Sequence, residues 1–428
     1  MRRLYILDTT LRDGEQSLSI SLDAQKKLEI SHQIAKLGVD VIEAGFPASS
    51  PEDFKAVQAI SKEMKGIKVC GLARCIDKDI ESCLEALEPA EYPRINLGIA
   101  VSPIHMDKKL RLTPRQVVAK AVSAVKYAKK SIGDVQFYAE DAMRSDPKFL
   151  VEIFEKVIAA GATVITISDT VGCATPWTME RLVSHVKNTV RNIDKAQISI
   201  HCHDDLGMAT ANSLIGIRAG ADQVECTING IGERAGNASL EEIVMAIRTQ
   251  IDRGNNDAGN IDNMDNIDNI EININTREIY ASCQLVSMNT GIPIPRHKAI
   301  VGENAYSHAS GIHQDGMLKE QRTYQFVDPL IIGAPPSRII LSARSGRSAL
   351  KYSLEKSGFK TDDQDIDKLY QKFIRLADGK QAIANEELPS LLLNHKYPRT
   401  WMNLLWSKLD SPRRIGIISE TILNEKNV

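Results

Sequence analysis

The stretch GATVITISDTVGCATPW, residues 161–177, decides the fold. Its glycine is suited to closing a preceding helix, because only glycine takes the left-handed cap conformation without strain. The β-branched run TVITISD (163–169) then reads as a short strand. Thr175-Pro176 follows, a capping hydroxyl placed before a proline at the first helical position. One strand, one loop and one helix start are thus spelled out in order, and the same grammar recurs on both sides. Gly38-Val39-Asp40 and Gly220-Ala221-Asp222 repeat the strand entry, and Ser50-Pro51, Thr113-Pro114 and Asp146-Pro147 repeat the helix start. The other strand runs are LYILD (4–8), VDVIEAGF (39–46), KVCGLA (68–73), INLGIAV (95–101), VQFYAE (135–140), ISIHCHD (198–204) and QVECTIN (223–229), each followed by an amphipathic stretch. With TVITISD they make eight strand-helix units within residues 1–252, the number that closes a (β/α)8 TIM barrel of α/β class. An open doubly wound sheet is the alternative architecture.

The 428 residues are enough for a barrel and smaller appendages. A formal net charge of -2, with 25% charged residues, gives no footprint for nucleic acid or an acidic membrane surface. No run approaches the length of a membrane span, and MRRLYILDTTLRDG enters a charged loop where a signal peptide needs a longer apolar core. A cytoplasmic protein is expected. The seven cysteines are an odd number without a C-x-x-C pair, which suits reduced thiols. After the barrel, the Asn/Asp-rich segment 253–275 lacks the glycine and closing glutamate of a calcium loop and reads as a linker. Helical patterns resume over 276–385, contributing to the active site, and 386–428 form a short Trp-containing tail, too short for a core of its own. That tail is expected to dock on the body or on another subunit.

Polar side chains collect where the strand runs end, the face on which barrel enzymes build their sites. The first run ends in DTTLRDGEQ, with Arg12 and Asp13; the fifth in Glu140; the sixth in Asp169-Thr170; the seventh in His201-Cys-His203; the eighth leads into NGIGERAGN (229–237). In an extended strand His201 and His203 share one face. They are either a hydrogen-bonded polar pair or two ligands of a divalent metal, and a carboxylate opposite them favours the metal. GIGERAGN misses the dinucleotide glycine spacing and follows the last strand, which argues against a nicotinamide cofactor.

Four motifs, LDTTLRDGEQ (7–16), HCHDDLGMATANS (201–213), NGIGERAGNASLEE (229–242) and SHASGIHQDG (307–316), resemble the 2-isopropylmalate synthase family, with citramalate and homocitrate synthases as relatives and the 3-hydroxy-3-methylglutaryl-CoA lyases more distantly. The likeness covers about residues 4–385. The resemblance implies a divalent metal (Mn2+, Mg2+ or Zn2+) held by Asp13, His201 and His203, with Asn237 in or near its coordination sphere. It implies Arg12, Glu140 and Thr170 around a 2-oxo acid. It also implies His313 and Tyr324 brought from the region after the barrel, often from the partner chain of a homodimer.

The implied reaction condenses acetyl-CoA with the oxo acid and hydrolyses the thioester. The acetyl methyl is a weak carbon acid, so a base is needed, and His313 is the candidate, with Glu140 or a water assisting. In the pocket the sequence departs from the family: histidine, serine and proline are expected at Asn96, Tyr138 and Ser168. Tyr138 shrinks the pocket toward pyruvate, whereas the long motifs favour 2-oxoisovalerate and leucine biosynthesis. A citramalate synthase or another oxo-acid-specific synthase is therefore the alternative reading. A C–C lyase and a non-catalytic metal- and oxo-acid-binding paralogue stand further off. About forty residues follow the region of likeness in place of the family's regulatory domain, so leucine inhibition is not expected.

Overall fold

The computed structural model describes residues 2–18, 20–256, 270–359, 362–380, 382–384 and 387–392. Eight parallel strands close a barrel: β1 (Tyr5–Asp8), β2 (Val41–Gly45), β3 (Lys68–Arg74), β4 (Tyr92–Ala100), β5 (Asp134–Glu140), β6 (Val164–Asp169), β7 (Gln197–Cys202) and β8 (Gln223–Cys226). Closure is made by β1, which pairs with β2 on one side and β8 on the other. Helices α1 (Ala24–Leu37), α2 (Pro51–Glu63), α3 (Asp77–Leu87), α4 (Pro114–Ala128), α5 (Pro147–Ala160), α6 (Pro176–Thr189), α7 (Ala209–Ala219) and α8 (Leu240–Asn256) follow the strands in turn.

The local signals act as the sequence predicts. Ser50, Thr113, Asp146 and Thr175 each accept a first-turn N–H of α2, α4, α5 and α6, satisfying donors a helix start leaves orphaned. Gly161 and Gly220 end α5 and α7 at φ 117° and 115°. Two strands stop two or more residues before their runs end. β8 ends at Cys226 and the chain turns at Asn229, whose φ is 63°. β7 ends at Cys202, so His203 stands just beyond it, aligned with Asn237 by an isolated antiparallel bridge.

Apolar side chains on the outward faces of the strands, Ile6, Ile42, Val69, Ile95, Phe137, Ile165, Ile200 and Val224 among them, pack under the helices in one large core. The barrel lumen is divided. Leu7, Val41 and Cys70 form a small apolar cluster on one side. Arg94, Gln136, Thr166, Ser199, Gln223 and Glu225 are buried on the other, where a barrel usually stacks branched apolar residues.

Beyond α8, Ile270–Glu271 pairs in parallel with Arg2–Arg3, and α9 (Ile279–Thr290) follows. Over their described residues, Met1–Tyr306 with Val327–Pro336 form one compact unit and Ser307–Phe326 with Ser337–Val428 a second. The region expected to be helical over 276–385 is thus shared: α9 belongs to the first unit, and α10 (Gly311–Lys319), α11 (Arg347–Lys356) and α12 (Asp363–Ala377) to the second. The second unit has its own core of Leu341, Leu350, Leu354, Phe359, Leu369 and Phe373. Of the expected linker 253–275, residues 257–269 lie outside the described residues, as does the tail beyond 392 with Trp401 and Trp406.

Candidate active site

Immediately after β1, the N–H groups of Arg12, Asp13 and Gly14 all donate to Thr9 O, winding the loop so that Arg12 and Asp13 stand over the barrel mouth. Arg12 is fixed by two carboxylates: Nε donates to Glu43 Oε2 and Nη1 to Asp13 Oδ2, each at 2.6 Å. Glu43 comes from the centre of β2 and is fully buried, and it also accepts from Thr9 Oγ1 at 2.6 Å and Asn96 Nδ2 at 2.8 Å. Burial weakens the Arg12 cation, but Glu43 and Asp13 overcompensate and hold its pKa above the ordinary value.

Across the mouth, Asp13 Oδ2 lies 3.7 Å from His201 Nε2 and 3.8 Å from His203 Nε2. The two Nε2 atoms are 3.3 Å apart. One ligand atom from each of the three residues falls within 4.8 Å of the others, all three residues being buried. The far nitrogen of each ring also faces an oxygen: His203 Nδ1 is 3.2 Å from the carbonyl of Gly236, and His201 Nδ1 lies at an ion-pair distance of 3.2 Å from Glu225 Oε2. Both Nε2 atoms are thereby left facing the same small space as Asp13. Burial and the neighbouring His201 push His203 down to about 4. Burial also disfavours the charged form of His201, but Glu225 and Asp13 outweigh it and raise its pKa. Burial would raise Asp13, yet Arg12 and the two histidines hold its carboxylate well below the usual range.

Asn237 donates through Nδ2 to Asp13 Oδ1 at 2.8 Å and to Ile231 O at 3.1 Å, so its Oδ1 is buried without a partner. An orphaned acceptor beside a carboxylate and two imidazole nitrogens is a donor set suited to a divalent cation. Gly232 is what permits the approach: a Cβ there would stand 2.1 Å from Asn237 Nδ2 and 3.0 Å from Asp13 Oδ1.

The other expected residues of the barrel strands and their loops also reach this end. Asn96, Tyr138 and Ser168 come from lumen-facing positions of β4, β5 and β6, and Ser168 is in register with His201. The Tyr138 ring lies flat on Gly98, where a Cβ would come within 1.9 Å of its Cζ. Glu140 closes β5, its Oε1 2.5 Å from Lys109 Nζ and 3.4 Å from His105 Nδ1. Both partners lie on a π-helical turn, His105–Leu110, a local distortion common at functional sites. Thr170 Oγ1 accepts from the backbone N–H of Asp141 at 2.9 Å, and Asp141 holds a left-handed φ of 66° to deliver it. His313 and Tyr324 belong to the second unit, where their rings stack with centroids 4.1 Å apart.

Glu43, Glu225, His105 and Arg234 are the polar residues that sequence reading missed. Arg234 forks onto Asp205 and donates to Thr170 O, each at 2.8 Å, tying three loops together. A signal for the two glutamates was present: VIEAG and QVECT each carry one acid inside a buried parallel strand, where it needs a partner.

The HMGL-like family matches residues 3–286, and the Homocitrate synthase post-HMGL domain-like family matches residues 300–381. A 2-isopropylmalate synthase of Dictyoglomus turgidum is 50% identical over 394 residues, covering 92% of this chain and 75% of that protein. Those of Aquifex aeolicus and Pyrococcus abyssi are 49% identical, covering 91% and 92% of this chain and 72% and 78% of theirs. Among solved structures, an HMG-CoA lyase of Bacillus subtilis overlays with a TM-score of 0.56 at 19% identity, over 69% of this chain and 96% of that one. At that identity the likeness speaks for the barrel alone.

Proposed function

The chain belongs to the 2-isopropylmalate synthase family, and on that premise we propose that its barrel site condenses acetyl-CoA with 2-oxoisovalerate and releases CoA, giving 2-isopropylmalate for leucine biosynthesis. The observation that carries the reading is the convergence of Asp13, His201 and His203 beside the unpartnered Asn237 Oδ1. A divalent cation bound there supplies Lewis-acid polarisation of the oxo-acid carbonyl and a fixed pose for its carboxylate. Mn2+, Mg2+ and Zn2+ all suit these ligands.

The chain's own groups do the rest. Arg12, locked by Glu43, presents a cation that stabilises negative charge growing on the carbonyl oxygen. Thr170 already accepts from Asp141, which leaves its hydroxyl hydrogen to donate to the substrate carboxylate. His313, reaching the site from the partner chain of a homodimer, is proposed as the base that takes a proton from the acetyl methyl, with Glu140 and Tyr324 assisting. Among the described residues no helix is long and apolar enough to cross a membrane. The free thiols support a cytoplasmic setting.

Thiol-detected CoA release, with Mn2+ or Mg2+ and each of pyruvate, 2-oxoisovalerate, 2-oxoglutarate and an aromatic oxo acid, tests the reading. We expect 2-oxoisovalerate to stand highest. No release with any of them from folded, metal-loaded protein would point to an oxo acid outside this set or to a non-catalytic role.

A second reading, pyruvate as substrate, is favoured by the Tyr138 ring on Gly98, which places a bulky group at a lumen position where the family is expected to carry serine. If Tyr138 borders the pocket, Tyr138→Ser raises kcat/KM for 2-oxoisovalerate relative to pyruvate by about tenfold, the scale on which an apolar pocket discriminates methylenes. A ratio that does not move places Tyr138 away from the oxo-acid side chain.

A further inference from the structure

The polar half of the lumen is a directed chain of hydrogen bonds that ends on Glu225, whose other oxygen faces the metal-ligand candidate His201. At its base Asp134 Oδ2 accepts from Lys68 Nζ at 2.7 Å and from Arg94 Nη2 at 3.0 Å. Arg94, buried in the lumen, also donates through Nη1 to Gln223 Oε1 at 2.7 Å and Gln136 Oε1 at 3.2 Å. A guanidinium only donates, so both glutamine oxygens must turn toward it and both amide nitrogens away. Gln136 Nε2 then donates upward to Glu225 Oε1 at 2.8 Å, and Gln223 Nε2 to Ser199 Oγ at 3.0 Å. The hydroxyls of Ser199 and Thr166 donate to the same Glu225 Oε1 at 2.8 and 2.9 Å. With three donors on Oε1, the other oxygen, Oε2, faces His201 Nδ1 at 3.2 Å.

We propose that Glu225 is a positioning residue for the metal centre, and that Arg94 fixes the direction in which the column above it donates. The carboxylate requires hydrogen on His201 Nδ1 and so keeps the Nε2 lone pair on the side of Asp13 and His203. A histidine ligand oriented by a carboxylate on its far nitrogen binds metal more tightly than one left free to turn. The inference rests on the metal reading of Asp13, His201 and His203 given above.

Glu225→Gln tests it with little change of shape. Its amide oxygen can keep the three bonds from Gln136, Thr166 and Ser199, and its amide nitrogen then meets His201 Nδ1 donor to donor, which favours the wrong tautomer. Mn2+ binding to the full chain, followed by calorimetry without substrate, should weaken about 10- to 100-fold. Thr166→Val disturbs the same carboxylate while sparing Oε2 and should leave Mn2+ affinity within about twofold, since two donors still hold Oε1. Equal losses in both variants would mean a merely structural role, and unchanged affinity in folded Glu225→Gln overturns the proposal. Should Glu225→Gln fail to fold, Glu225→Asp decides, because it keeps the carboxylate but draws it back from His201 Nδ1 by one methylene. Weaker Mn2+ binding by several-fold supports the proposal, and unchanged affinity in the folded variant overturns it. Wild-type protein that takes up no Mn2+ would instead remove the metal reading itself.

Discussion

Asp13→Asn lowers kcat/KM for CoA release about a thousandfold or more at the Mn2+ concentration that saturates the wild type, because the metal's Lewis-acid contribution is worth several kcal/mol and each 1.36 kcal/mol is tenfold. Asparagine keeps the size of the side chain but loses the charge that faces both histidine Nε2 atoms and Arg12 Nη1. Arg12 retains Glu43, so the fold should stay intact. The melting temperature without metal should therefore stay close to wild type while the shift on adding Mn2+ disappears. Activity within tenfold of wild type would place the cation, or the chemistry, elsewhere.

Arg12→Met is expected to be the most damaging single change to stability near the site. It removes the one cation bonded to Glu43 among the described residues, a carboxylate with no solvent access, and leaving a buried charge unpaired costs about 3–5 kcal/mol. Urea titration should show the drop. The double variant Arg12→Met/Glu43→Gln should recover most of it, since a neutral amide can still accept from Thr9 and donate to its surroundings. Turnover should stay low in both, because the cation that stabilises the developing oxyanion is gone. Full recovery of activity in the double variant would show that Arg12 serves the fold alone.

The two glutamates involved here mark the boundary of what the sequence makes legible. Strand order, helix starts and the Asp13/His201/His203 set are encoded in short contiguous motifs, so one reading along the chain finds them. Glu43 and Glu225 are visible only as acids in apolar runs. Their meaning comes from partners 31 residues away in one case and 24 in the other, in Arg12 and His201, and is set by strand register that no local pattern specifies. His203 shows the converse: the two-residue spacing suggested a shared strand face, yet β7 stops at Cys202 and the Asn237 bridge does the aligning. The region after the barrel read as helical from local pattern, but local pattern does not say which unit a helix joins, and α9 and α10 fall in different ones.

The barrel closes where β1 meets β8, and the site straddles that seam. Asp13 just after β1 is bonded to Asn237 just after β8 by residues 224 positions apart in sequence. A ribosome adding about 5–20 residues per second makes Asp13 on the order of ten to forty-five seconds before Asn237. For most of that interval the nascent chain holds Arg12 and Asp13 with neither histidine to complete the set, and for all of it no Asn237. The last strand therefore closes the wall just before Asn237 is made to meet Asp13, although Asp13, His201 and His203 all precede it in sequence.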